Sequence, residues 1–445
     1  MKKLLLLLII PFLSFGQGWE QIFGDGEDHF VAHSVQQVND GGYIVCGKKW
    51  SNGAWSSDIY IMKTSEGGQE EWSQVYGGED EDVGYSIKQT NDDGYIIAGY
   101  TTLSYNNYIE NIEIYLLKLN SSGEEEWSRM FGGDKLDDWD QGYSAIQTND
   151  GGYIITGFIQ TGSPEQKNIC LIKTDENGDE EWSNSFGDGL SVSGEGGGDT
   201  GYSVQQTNDG GYVVVGSTFF WGGLSQQIYL IKVDGNGNEE WSQIYGEEGS
   251  DVAYSIQQTN DGGYIIAGET YSSSSISPVY HRDVWVIKIN SNGFEEWSQT
   301  YGGDGNDIGH SIQQTDDGGY IIAGETSNSV FESEADVLVI KVNANGLEEW
   351  SQTYGGDGND IGYSIQQTND GGYIVAGGFE GSGDNAFIYL IKLNNNGDII
   401  STSDIEDTDN SILQKINILG QETTNKGLQL HIYDNGTVEK KYLIK

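Results

Sequence analysis

Cysteine and proline are almost missing from this 445-residue chain, at 2 and 3 residues. The two cysteines, Cys46 and Cys170, fall on strands of different repeats and read as buried free thiols, because free Cys packs as a small hydrophobe. With proline so rare, turns must be made by glycine, of which there are 66. Positive charge is also scarce: 21 basic against 69 acidic residues leave a net charge of -48. Such a surface repels phosphate backbones and anionic lipid, so nucleic acid is set aside as a partner. The apolar run Leu4 to Leu13 is too short to span a bilayer. Preceded by Lys2 and Lys3 and followed by Ser14, Phe15 and Gly16, it has the form of a secretory signal peptide over residues 1–16. No Cys follows to accept a lipid, so no transmembrane or lipid anchor is expected.

What is present is a repeat. Trp19, Trp72, Trp127, Trp182, Trp241, Trp297 and Trp350 stand 53, 55, 55, 59, 56 and 53 residues apart. Each unit holds four short runs rich in β-branched and aromatic residues, bounded by Gly, Asn or Asp, which read as strands. Two joints are nearly constant, the Thr368 to Gly372 type and the Asn343 to Gly346 type, and both supply the positive φ that hairpins need. A four-stranded sheet of about 55 residues gains stability by stacking on copies of itself, and seven copies close into a ring. The expected fold is all-β: a seven-bladed β-propeller of four-stranded antiparallel blades over residues 17–403. Trp19 to Phe23 has no partner before it and the last repeat lacks its Trp strand, so the N-terminal segment is expected to complete the seventh blade.

Tyr373-Ile374-Val375-Ala376-Gly377-Gly378, Asp283-Val284-Trp285-Val286-Ile287-Lys288 and Glu296-Trp297 resemble the second, third and fourth strands of kelch and galactose-oxidase-like propeller repeats. The resemblance implies an innermost first strand, such as those beginning at His310 and Tyr363, and an outermost Trp strand. The two constant turns then share one face of the disc, which reads as structural. The opposite face carries the joints that differ between repeats.

Those variable joints hold Trp50, Trp55, Tyr105, Tyr108, Phe219, Phe220, Trp221, Tyr271, Tyr280, His281, Phe331 and Phe379, with Trp139 among Asp137, Asp138 and Asp140. Aromatic rings beside carboxylates suit carbohydrate, by stacking on sugar faces and accepting hydroxyl hydrogen bonds. A secreted binding module for glycans or surface partners is the first expectation. A polysaccharide hydrolase or lyase is the second, to be marked by one buried carboxylate unique to a single blade. A structural or adhesion protein is the third.

An Asp recurs three positions before the first-strand Tyr or His, at Asp82, Asp140, Asp199, Asp251, Asp307 and Asp360, with Phe30 there in the first repeat. A feature of nearly every blade reads as a turn acceptor of backbone N–H groups. Asp304, Asp307, Asp357 and Asp360 lie in Gly-Asp-rich loops and stand as weak calcium candidates. No other cofactor is expected. The five histidines show no metal-ligand spacing, and no nucleophile elbow or phosphate loop occurs.

After residue 403 the pattern stops. Residues 404–411 read as a linker, and residues 412–445 resemble the C-terminal sorting domain of type IX secretion. The resemblance rests on Leu419-Gly420-Gln421, the Tyr433-Asp434-Asn435-Gly436 hairpin and the basic Lys440-Lys441. It implies the type IX machinery as a partner, with the chain delivered outside the cell or to its outer surface. Separately, the chain is expected to be a monomer.

Overall fold

The computed structural model describes residues 18–51, 56–105, 108–132, 139–161, 166–187, 198–219, 225–246, 249–273, 280–327, 334–380 and 385–399, with three strands near the C-terminus. The chain divides into two units, residues 1–399 and 400–445. The second contains a three-stranded antiparallel sheet, Ile412–Asn417, Gly427–Tyr433 and Val438–Leu443.

The first unit is a seven-bladed propeller, each blade a four-stranded antiparallel sheet. In blade 1 the strands run outward as Asp28–Gln37, Tyr43–Ser51, Asp58–Thr64 and Glu70–Tyr76. Blade 7 takes Ile361–Gln367, Tyr373–Glu380 and Ala386–Leu393 from the end of the unit and Trp19–Phe23 from its start, with Trp19 opposite Lys392. The N-terminal strand therefore closes the ring, as its lack of a preceding partner implied. Closure covers the two blade faces that an unclosed stack would leave open and keeps only short outer edges exposed.

Second and third strands read as continuous apolar runs because both faces of each blade are covered. Seven clusters of buried side chains lie between neighbouring blades, and the one joining blades 7 and 1 (Phe30, Val45, Met62, Ile374, Leu390) is built like the rest. Each repeating Trp crosses to the next blade. Trp72 meets the Tyr95 ring at 6.2 Å and lies against Gly123, where an added Cβ would come within 2.8 Å of the indole. The period of the tryptophans is thus the period of the interfaces. Cys46 and Cys170 are buried free thiols in two of these clusters.

Every third strand also buries a lysine. Lys63 Nζ reaches Asp40 at 3.0 Å and Glu71 at 2.9 Å, with its side chain 3 % exposed against 62 % and 47 % for the acids. Glu71 reaches it because it is the extra residue of a bulge between the third and fourth strands. Lys392 of blade 7 has Asp370 but no such Glu, since Gly18 stands before the closing Trp19. Half-exposed carboxylates keep their hydration, so these pairs fix register and turn position more than they add stability.

Candidate functional site

The innermost strands carry one bulge each, and the extra residue is the aromatic. Register shifts between Gly84 and Ser86, Gly142 and Ser144, Gly362 and Ser364, and correspondingly in the other four blades, leave Tyr85, Tyr143 and Tyr363 unpaired. A bulge re-aims its side chain, here toward the propeller axis. His33, Tyr85, Tyr143, Tyr202, Tyr254, His310 and Tyr363 form a closed collar with successive ring centroids 4.9 to 5.4 Å apart. The bulge also presses the first strand onto the second. A Cβ on Gly99 would lie 1.8 Å from the Val83 carbonyl oxygen, which is why a glycine stands there. Burial pushes the collar tyrosines up, Tyr85 to about 12, and lowers His33 and His310 to about 4. The Nε2 atom of His310 is buried without a hydrogen-bond partner.

The residue after that glycine stands next to the collar on the variable face, and it differs in every blade but two: Lys48, Tyr100, Phe158, Ser217, Glu269, Glu325 and Gly378. Tyr100 packs on Tyr85 at 6.0 Å and Phe158 on Tyr143 at 6.2 Å. The Tyr254 hydroxyl donates to Glu269 Oε1 at 3.3 Å, and the Arg282 guanidinium stands 3.4 Å from Glu269 Oε2. Glu269 is 4 % exposed, and burial raises its carboxyl. Glu325 on the adjacent blade is raised to about 7, chiefly by burial and then by the charge of Glu269, with Arg282 opposing. These two carboxylates break the sevenfold pattern.

Gly378 leaves a gap where the other six blades place a side chain. Beside it lies a cleft of about 420 Å³ between blades 7 and 1, lined by His29, Trp50, Asn359, Tyr363, Phe379 and Glu380 among others. His29 and Trp50 stack with centroids 5.0 Å apart and planes 7° from parallel. The Ala386 N–H donates to His29 Nδ1 at 3.3 Å, which places the imidazole proton on Nε2. Glu380 Oε2 accepts the Asn359 N–H at 3.1 Å. The volume falls in the range of small-molecule sites, which run from roughly 300 to 1,000 Å³.

Of the aromatics expected on the variable face, Trp50 is the one described beside this cleft together with Phe379. Trp139 stands apart, 49 % exposed, its backbone N–H donating to Gln160 Oε1. Phe219 is half-buried at the end of its strand, and His281 Nε2 lies 3.5 Å from Asp283. Tyr105, Tyr108 and Tyr280 end or begin strands, but their side chains lie outside the described residues, as do Trp55, Phe220, Trp221 and Phe331. In the C-terminal unit Tyr433, Lys440 and Lys441 are on strands, while Leu419, Gly420, Gln421, Asp434 and Gly436 lie outside the described residues.

The recurrent Asp residues accept backbone N–H groups. Asp307 takes Gly303 at 2.9 Å, and Asp360 takes Gly356 at 2.7 Å and Glu380 at 3.0 Å. Asp304 and Asp357 are exposed beside them. Among the described residues, no three His, Cys, Asp or Glu side chains converge to hold a metal ion.

No protein-family model matches the chain, and no curated protein sequence does. Several solved structures do. The WD40 domain of Neurospora crassa Pan2 is 10 % identical with a TM-score of 0.47, over 81 % of this chain and 89 % of that one. The β-propeller domain of the trilobed protease of Pyrococcus furiosus is 9 % identical with a TM-score of 0.44, over 87 % and 98 %. The polysaccharide lyase Uly1 is 11 % identical with a TM-score of 0.48, over 82 % and 90 %. None of these likenesses bears on what the chain does.

Sequence reasoning missed the collar, the Glu269–Glu325 pair and the cleft. The signals were present as a Tyr-Ser or His-Ser step in each first strand, the Ala-Gly-Glu-Thr run that only repeats 5 and 6 share, and the second glycine of Gly377-Gly378.

Proposed function

We propose that the chain is an exported binding propeller that holds a glycan on its variable face, in the cleft between blades 7 and 1. The observation that carries this is the Gly378 gap: a concave site flanked by Trp50, His29 and Phe379, with Glu380 and Asn359 supplying polar groups at its edge. Rings that stack on a sugar face, beside groups that bond hydroxyls, are the chemistry carbohydrate requires. The Lys2-to-Gly16 segment and the type IX-like tail support export, with the tail addressing the chain to that machinery. The test is retention of the full chain on a glycan array and on insoluble polysaccharides. Trp50→Ala and Phe379→Ala should each weaken retention about tenfold while leaving the melting temperature within a few degrees. Retention unchanged in both variants would remove the cleft from the account.

A second reading, glycan cleavage, is favoured by one observation. Glu325 is a carboxyl raised to about 7 by burial and by the charge of Glu269, a proton donor available at neutral pH. Release of reducing ends or of unsaturated products from any retained glycan, lost in Glu325→Gln, would establish it.

A further inference from the structure

On the other side of the collar, toward the constant hairpin turns, the axis opens into a second cavity of about 290 Å³. Its wall is made of two further rings from the same strands. The first is seven serines, Ser34, Ser86, Ser144, Ser203, Ser255, Ser311 and Ser364. Six of them accept a backbone N–H from the next blade, as Ser364 Oγ does from Val35 at 3.2 Å. The second ring is glutamine in five blades: Gln36, Gln205, Gln257, Gln313 and Gln366. Each turns its Oε1 onto the next blade's backbone, as Gln366 does to the Gln37 N–H at 2.6 Å. In six serines and all five glutamines one acceptor site is thus used in joining blades. The donors of both rings, serine O–H and glutamine amide N–H groups, have no part in those contacts.

In blades 2 and 3 the glutamine is replaced by Lys88 and Ile146. Neither can accept a hydrogen bond, so the fold gives up two blade-to-blade contacts there. Lys88 lines the cavity, and none of the ion pairs formed by the described residues includes it. Burial lowers its ammonium from the ordinary lysine range, with no carboxylate to offset it. Each third-strand lysine has an acid partner, in a chain with 48 negative charges in excess. A lone cation in a donor-lined chamber, placed where the repeat would put a neutral glutamine, calls for an acceptor-rich anion.

We propose that this chamber binds one small anion, a carboxylate or an oxyanion, with its charge held by Lys88 Nζ and its remaining oxygens by the surrounding hydroxyl and amide donors. The site is separate from the variable-face cleft, and it gives a role to the face that the repeat pattern reads as purely structural.

The experiment is calorimetric titration of the full chain with acetate, D-glucuronate, phosphate and sulfate, at ionic strength held constant with chloride. At least one of the four should bind the native chain with one site. Carboxylates binding alone would identify an organic acid, and phosphate or sulfate binding alone an inorganic or ester oxyanion; either supports the site. Lys88→Gln restores the residue of five other blades and an acceptor for the Gln147 N–H, so it should fold with an unchanged or higher melting temperature. It should lose affinity about tenfold or more, the effect of removing a charged hydrogen-bond partner. Lys88→Arg should keep binding within severalfold. No binding of any of the four to the native chain overturns the proposal, as does equal affinity in Lys88→Gln or an equal loss in Lys88→Gln and Lys88→Arg.

Discussion

Replacing Glu325 by Gln should stabilise the propeller, and more so at high pH. The folded-state carboxyl sits at about 7 against an ordinary value of 4.5. A carboxyl raised on folding contributes stability that is complete below 4.5 and lost as pH rises through 7, because above that the folded chain must hold a poorly solvated charge beside Glu269. The full shift corresponds to about 3 kcal/mol at 1.36 kcal/mol per pH unit. Glu325 is only half-buried and solvent screens it, so about 1–2 kcal/mol is the expected effect. Burial sets the shift first, then the charges of Glu269 and, in opposition, Arg282. Urea denaturation of the native chain and Glu325→Gln at pH 5 and pH 8 reads the difference. The gain should be small at pH 5 and reach the full value at pH 8. An equal gain at both values would mean that Glu325 is not held near neutrality, and the coupling to Glu269 would be wrong.

Three further outcomes follow from the same geometry. His310→Tyr installs the collar residue of five blades; His310 is held neutral down to about pH 4, so the variant's gain in melting temperature should grow as pH falls from 6.5 to 4 and vanish above 7. Trp19→Ala removes the ring that packs on Tyr43 at 5.8 Å and on Gly68 across the closing interface, and should cost about 2–4 kcal/mol by urea denaturation. Lys232→Met strips the partner of Asp209 and Glu240, whose carboxylates stay 62 % and 46 % exposed, so the loss near neutral pH should stay under about 2 kcal/mol. Asp209, held down at about 2 in the native chain, should then titrate higher, which a carboxylate NMR titration would show.

The architecture was legible because it rests on period and turn chemistry. Trp spacing marks interfaces since each indole crosses to the next blade, and Asn-Asp-Gly-Gly marks a hairpin since Gly41 and its counterparts need positive φ; only in blade 2 does a described non-glycine, Asp93, take that place. The closing strand could be inferred from an unpaired start and an incomplete end. The collar could not, because a bulge breaks the two-residue alternation from which facing is read: Tyr85 and Ser86 are neighbours in sequence, yet both line the axial cavity. Loop aromatics drew attention to the rim, whereas the cleft depends on Gly378, a side chain that is absent and leaves no mark on composition. Glu269 and Glu325 were legible only as a difference among seven copies, and their burial is a property of the closed ring.

The most direct measurement of the central claim fills the gap. A Cβ at Gly378 meets nothing nearer than the Val31 side chain at 3.7 Å, so Gly378→Tyr, which installs the residue that blade 2 carries at this position, should fold normally. Its retention on whichever glycan holds the native chain should fall at least about tenfold at an unchanged melting temperature. Undiminished retention by a folded Gly378→Tyr chain would contradict the placement of the binding site between blades 7 and 1.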